Sequence, residues 1–256
     1  MNQLQKAIIE KIGHDFGFEY LVSESEHQVV LGSARHLIHA AVSVIYDAYQ
    51  IEFSNAKSVF IDELARNFVQ LKDNLFSATN ESQLATLFKR ASQLANSLPN
   101  QAANNYEKDL KAALAELPLS TRGTEIERMV RQRVGQDAYR KAMLDYWGNA
   151  CAVTGLQMPE VLRASHAKPW ADCATDSERL DVYNGFLLTA NLDALFDRFL
   201  ISFDGVGHIM ISDSIKLEQQ NILHINTSLR LRWISLEHEN YLIYHRGKFQ
   251  LMGAVI

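Results

Sequence analysis

The sequence predicts an α+β protein built from two domains, and three observations carry that reading. Apolar residues recur at helical spacing near the start of the chain (Leu4, Ile8, Ile9, Ile12) and again at Leu192, Leu195, Phe196 and Phe199. Short apolar or alternating runs between them read as strands. A polar stretch punctuated by Pro99, Pro118 and Gly123 interrupts the pattern. The expected organisation is a small α+β domain over residues 1–98, a linker with a short helix over 99–123, and a second domain over 124–256.

In chain order, the first amphipathic helix is followed by strands at Gln28-Val29-Val30-Leu31, Ala41-Val42-Ser43-Val44-Ile45-Tyr46 and Tyr49-Gln50-Ile51-Glu52-Phe53. Two helices are expected next, over 56–73 and 81–97, the second capped by Asn80. A short helix over 106–117 falls inside the linker, and a long basic helix over 124–146 opens the second domain. Then come a strand at Val161-Leu162-Arg163-Ala164-Ser165-His166, ended by Pro169-Trp170, and a polar loop over 172–179. A second strand at Gly185-Phe186-Leu187-Leu188 and a helix over 191–200 complete a strand–loop–strand–helix unit. Asp204-Gly205-Val206-Gly207 marks a hairpin between Ile201-Ser202-Phe203 and His208-Ile209-Met210-Ile211.

Composition excludes several classes. No apolar run approaches the roughly 20 residues that span a bilayer. Met1-Asn2-Gln3-Leu4-Gln5-Lys6 lacks the charged and apolar regions of a signal peptide. Two cysteines, Cys151 and Cys173, fit a reducing, cytoplasmic setting without a disulfide framework. A net charge of -5 argues against a general nucleic-acid coat protein but leaves room for a local positive path to one phosphate. Such a path has a candidate. Between residues 122 and 141 stand Arg122, Arg128, Arg131, Arg133, Arg140 and Lys141, against Glu125, Glu127 and Asp137. This is either a solvated helix face or a basic arm feeding phosphates toward a site on its C-terminal side.

The chemistry concentrates in the strand–loop–strand–helix unit. Asp193 and Asp197 are four apart, so they sit one above the other beside the apolar stripe of their helix. Alone they repel by roughly 0.2–0.5 kcal/mol, and a divalent cation between them reverses the sign. Two solvated carboxylates are the plainer reading. His166 ends an apolar strand where the chain must leave the sheet, and Asn184 precedes Gly185 at a turn. Each has a structural explanation alone; their joint occurrence with paired carboxylates points to a site.

Together, Ala164-Ser165-His166-Ala167-Lys168-Pro169-Trp170, Arg179-Leu180-Asp181, Asn184-Gly185-Phe186-Leu187-Leu188 and Leu192-Asp193-Ala194-Leu195-Phe196-Asp197-Arg198 resemble the HNH endonuclease family. The resemblance is to the branch reading AHIxPW…NGLxL…LFDxG. Gly135-Gln136 with Tyr139-Arg140, and Cys151-Ala152-Val153-Thr154-Gly155, are similar to its flanks. The resemblance covers residues 134–212 and implies a C-terminal ββα-metal nuclease domain. It further implies that His166 is the general base, that Asn184 ties down the loop orienting it, and that Asp193 and Asp197 are metal ligands. The substrate implied is DNA, and the setting bacterial restriction or phage defence. Histidine's ordinary pKa of about 6.5 suits activation of water near neutral pH, and phosphodiester hydrolysis calls for a cation to stabilise the developing charge.

The chain departs from the pattern at two positions. Ser165 stands where many members carry a metal-binding Asp or His, and Asp193 replaces the final histidine. Oxygen ligands favour magnesium or manganese over zinc. Thr154 stands where a zinc knuckle would have its second cysteine, so Cys151 is read as a core residue and no structural zinc is expected. Lys168, Arg198, Arg131 and Arg140 are the candidate nucleic-acid contacts, with solvation the alternative for Lys168 and Arg198; Trp170 is read as packing. The N-terminal domain carries no recognised motif and is assigned to recognition or sensing. One ββα site cuts one strand, so a homodimer is expected. The alternative to an enzyme is an HNH-fold binding or regulatory protein that has lost catalysis.

Overall fold

The computed structural model describes residues 1–98, 101–118, 123 and 125–253. The expected break at Pro99-Asn100, the basic Arg122 and the expected helix start at Thr124 lie outside the described residues. The chain divides into two compact units, Met1–Gln101 and Ala102–Ile256. Among the described residues no helix is long and apolar enough to cross a membrane.

The first unit is a six-stranded antiparallel sheet with helices packed on it. Its elements are α1 (Gln3–Asp15), β1 (Tyr20–Glu24), β2 (Gln28–Gly32), β3 (His39–Ile45), β4 (Ala48–Ser54), α2 (Ser58–Ala65), β5 (Val69–Lys72), β6 (Leu75–Ala78) and α3 (Glu81–Ser97), in sheet order β1-β2-β3-β4-β6-β5. Asn2 and Gln5 exchange side-chain-to-backbone bonds in a capping box that starts α1. Asn80 caps α3 by accepting from the Gln83 amide at 2.9 Å. The β3–β4 turn sets both Tyr46 (φ 49) and Asp47 (φ 62) in the left-handed region, matching the strand twist. Val29, Leu31, Val42, Ile51, Phe53 and Phe76 are buried with Phe60 and Leu64 of α2 and Leu84, Leu87 and Phe88 of α3.

The helix expected over 56–73 stops after Ala65, and Val69–Lys72 instead forms an edge strand beside β6. Val69 and Leu71 are exposed, while Phe76 and Ala78 on β6 are buried. Strand pairing therefore prevails over the helical pattern at the end of that run. β1 was not expected because all five of its residues are exposed, leaving no alternation to read.

The second unit holds α4 (Gln101–Ala115), α5 (Glu125–Tyr146), β7 (Leu162–His166), α6 (Asp176–Arg179), β8 (Gly185–Thr189), α7 (Ala190–Phe196), β9 (Ile201–Phe203), β10 (Ile209–Ile211), α8 (Leu217–Ile222) and α9 (Glu237–Gly253). β7 and β8 form an antiparallel hairpin in which Leu162 faces Thr189 and His166 faces Gly185. α7 packs on both strands, and α5 touches both as well. Gly135, Tyr139, Ala142, Met143 and Tyr146 form the buried stripe of α5.

α7 is shorter than the expected 191–200. It ends at Phe196 because Phe199 turns left-handed (φ 56). The Phe199 amide then donates to Phe196 O at 2.9 Å, and that of Leu200 to Leu195 O at 2.9 Å. These bonds satisfy carbonyls that the helix end would leave open. A bulky residue in this region carries strain of about 1 kcal/mol or more.

Candidate active site

His166 sits at the end of β7, half-buried, with its imidazole stacked on Tyr139 (ring centroids 3.8 Å apart, planes at 19°) and meeting Trp170 edge-on at 5.9 Å. Its Nε2 lies 2.8 Å from the carbonyl oxygen of Arg179. A carbonyl only accepts, so Nε2 carries the proton and Nδ1 keeps a lone pair. Burial pushes the imidazole down to about 4, against a smaller opposing effect of the Arg179 carbonyl. His166 is thus neutral at pH 7, with one nitrogen anchored.

Asn184 is fully buried and holds the segment between the two strands. Its Oδ1 accepts from the Lys168 amide at 2.8 Å, while Nδ2 donates to Lys168 O (3.2 Å), Glu178 O (3.0 Å) and Cys173 Sγ (3.3 Å). Its own carbonyl accepts from the Ala167 amide (3.1 Å) and the Tyr139 hydroxyl (2.9 Å). The side chain ties the start of the loop to its short helix α6, whose last residue, Arg179, accepts the hydrogen bond from His166. Gly185 makes the close pairing feasible: at φ +150 it suits only glycine, and a Cβ there would overlap the Ser165 carbonyl and crowd the Tyr139 hydroxyl.

Asp193 and Asp197 stand one turn apart, the Asp197 amide donating to Asp193 O at 2.9 Å. Desolvation first, then the neighbouring Asp193 charge, push the Asp197 carboxyl up to about 6, partly offset by Arg198. The residue as a whole is exposed, yet it lines the pocket that also holds His166, which accounts for the desolvation. The buried Ser165 hydroxyl donates to Asp193 Oδ1. Ser165 therefore orients Asp193 from the position before the histidine.

That pocket, of about 490 Å³, brings His166, Asp193 and Asp197 together with Arg140 and Arg163. Arg140 is anchored by donating to Leu162 O (2.6 Å) and Pro159 O (2.7 Å). Gln136, Tyr139 and Arg140, at helical spacing on α5, all reach this pocket. Of the other expected nucleic-acid contacts, Lys168 pairs with Glu178 at 2.6 Å and Arg131 with Glu127 at 2.7 Å. Neither these two nor Arg198 lines the pocket. Arg163 and Tyr139 had no assigned role in the sequence. The signal for Arg163 was its place on the strand that ends in His166.

Two further residues reach the loop from α9. Tyr241 donates to Asp181 Oδ2 at 2.9 Å and Tyr244 to Asp172 Oδ2 at 2.6 Å, bracing the loop on both sides of Arg179. Cys151 is core, its sulfur accepting from the Val153 (3.5 Å) and Thr154 (3.4 Å) amides. Cys173 is buried within the Asn184 network.

The family model described as HNH endonuclease matches residues 151–204. The C-terminal half carries an HNH domain. No curated protein matches the chain in sequence. The matched HNH segment includes both strands of the hairpin, Asn184 and α7, whereas Gln136, Tyr139, Arg140, Tyr241 and Tyr244 lie outside it. An HNH domain implies a nucleic-acid substrate, and HNH nucleases generally use divalent metal ions.

The donor set can be tested against such an ion. No group of three or more His, Cys, Asp or Glu gathers as ligands among the described residues. The HNH pocket offers two carboxylates close enough that the charge of Asp193 raises the proton affinity of Asp197. That fits a hard cation bound through one or two carboxylates, with water and phosphate oxygens filling its shell.

Proposed function

We propose that the HNH domain is a divalent-metal-dependent endonuclease hydrolysing phosphodiester bonds in DNA, with magnesium or manganese at Asp193 and Asp197. The observation that carries this reading is the anchoring of His166: Nε2 lies 2.8 Å from Arg179 O, a pure acceptor, which leaves Nδ1 to accept a proton. The imidazole lines the same pocket as the paired aspartates.

In this mechanism His166 takes the proton of the attacking water at Nδ1. A base held near 4 is deprotonated at neutral pH, and an anionic phosphate docked beside it raises its proton affinity as the reaction proceeds. Asn184 fixes the loop whose carbonyl holds Nε2. Arg140 and Arg163 attract the phosphate to the mouth of the pocket. Asp193, oriented by Ser165, and Asp197 would hold the cation, which when bound would stabilise charge on the phosphorane-like transition state and leaving oxygen.

We place the activity in restriction or phage defence, with the N-terminal unit as the recognition or sensing part. Its separate sheet and core support a module with its own task. Among the described residues there is one such site, so a double-strand break takes two protomers or two sequential nicks. The second reading, a binding protein without catalysis, is favoured by Ser165 occupying an oxygen of Asp193 that a cation could use. Nicking of supercoiled plasmid with magnesium or manganese decides between them. Cleavage by wild type that is lost in His166→Ala supports the enzyme; binding without cleavage at any metal concentration supports the second reading.

A further inference from the structure

Phe199 holds a backbone conformation that glycine adopts freely and a bulky residue does not, at φ +56 immediately beyond α7. It stands two residues after Asp197 and lines the same pocket as His166, Asp197 and Arg163. Its ring is half-buried and rests on His245 (centroids 4.8 Å apart, 49°). That support is rigid. His245 is fully buried, stacked on Phe196 at 3.8 Å, and fixed through both nitrogens, Nδ1 at Ser202 Oγ (2.9 Å) and Nε2 at Phe196 O (3.0 Å). Of the pocket's other aromatic rings, Tyr139 is buried against His166, and Trp170 is differently placed. It packs so tightly on α5 that a Cβ at Gly135 would overlap its ring, and Arg179 and His166 cover it further. The helix end therefore pairs a cation-holding carboxylate with a pre-organised aromatic surface, and an outlying backbone conformation maintains it. Strain retained at a pocket wall is a pointer to function.

We propose that Phe199 is a stacking platform for an unstacked nucleobase beside the scissile phosphate, so that the preferred substrate is a strand whose base can leave the duplex. This rests on the nuclease reading of the same pocket. A phosphate drawn to Asp193, Asp197 and Arg163 brings its own sugar and base to the wall that Phe199 forms. An aromatic ring there accepts any base, because every base has a π-face. Unstacking costs least in single strands and at mismatches, so these are bound more tightly and cut faster than perfect duplex.

The test measures binding of a fluorescent single-stranded oligonucleotide, a mismatched duplex and a perfect duplex, with manganese, in the His166→Ala background to prevent turnover. Phe199→Gly relieves the backbone strain and removes the ring. It is expected to weaken binding of the single strand and the mismatched duplex about tenfold, the loss of one stacked base. The dependence of affinity on salt stays unchanged, because no phosphate contact is lost. Phe199→Leu keeps apolar bulk over His245 and loses the stacking face; it is expected to weaken binding similarly, whereas Phe199→Trp restores it. If Phe199→Gly does not fold, Phe199→Leu decides. Wild-type affinity in the folded variants, or equal affinity for single strand and perfect duplex, overturns the proposal and leaves the nuclease reading standing. Absence of binding to all three probes, with no cleavage by the protein carrying His166, overturns both.

Discussion

Tyr139 stacks on His166 with ring centroids 3.8 Å apart, and its hydroxyl donates to the backbone of Asn184 at 2.9 Å. One side chain of α5 thus touches both the expected base and the residue that ties down its loop. Tyr139→Phe keeps the stack, and Asn184 O retains the Ala167 amide as donor. It should cost about 1 kcal/mol of stability, the worth of one hydrogen bond, with cleavage close to wild type. Tyr139→Leu removes the stack and should lower kcat at least tenfold with little change in KM. Chemical denaturation and steady-state cleavage read the two effects separately; equal kcat for both variants contradicts the role of the stack.

Replacement of the base is the sharper cut. His166→Ala should reduce plasmid nicking about 10²–10⁴-fold, the usual loss for a general base. On the proposed assignment of Asp193 and Asp197 as metal ligands, manganese binding should be preserved. Comparable rates for variant and wild type in matched magnesium remove His166 from the mechanism.

Asp197 gives a prediction about pH and metal together. Its folded pKa is raised from 3.8 to about 6, so its ionisation opposes folding. The favourable contribution of its protonated form is complete below about 4 and is lost as pH rises through about 6. Without metal, Asp197→Asn should therefore melt higher than wild type at pH 7, the gap closing below pH 4. With manganese the order reverses, since wild type gains stability by binding and the variant does not. An equal manganese-induced shift in both proteins places the metal elsewhere.

Gly185→Ala should be far more damaging than a typical surface change, at about 3 kcal/mol or more, because strain and overlap with Ser165 add. A denaturation midpoint near wild type refutes the register described for β7 and β8.

For assembly, the expected outcome in sedimentation is a dimer when duplex DNA is bound. Concerted double-strand cutting by a protein that remains monomeric contradicts it.

Much of the candidate site's clustering was legible because its residues lie close together in the chain. His166, Asn184, Asp193 and Asp197 fall within about thirty residues, and the apolar spacing of Leu192, Leu195 and Phe196 marks the face that α7 buries. Less legible were features that depend on distant partners. β5 was hidden in a helical pattern because only pairing with β6 makes it a strand. Arg131 and Lys168 carry the right charge for phosphate, but nearby glutamates take their cationic groups. Phe199 was read as the last rung of the apolar stripe, whereas the helix has already closed on itself there. The Tyr241 and Tyr244 contacts have no local signature at all, since each joins residues at least sixty positions apart.

Those two tyrosines also set an order of events during synthesis. The hairpin, the aspartates and Arg179 all leave the ribosome before α9 does. At ordinary rates of elongation, the residues that brace the loop follow about 2–9 s after Asp197. For that interval the nascent chain carries every reactive side chain of the site, but its histidine leans on a carbonyl that nothing from α9 yet steadies. Full bracing of the loop is thus timed by translation, and a chain released before Glu237 lacks both tyrosine contacts while Asn184 still ties the loop.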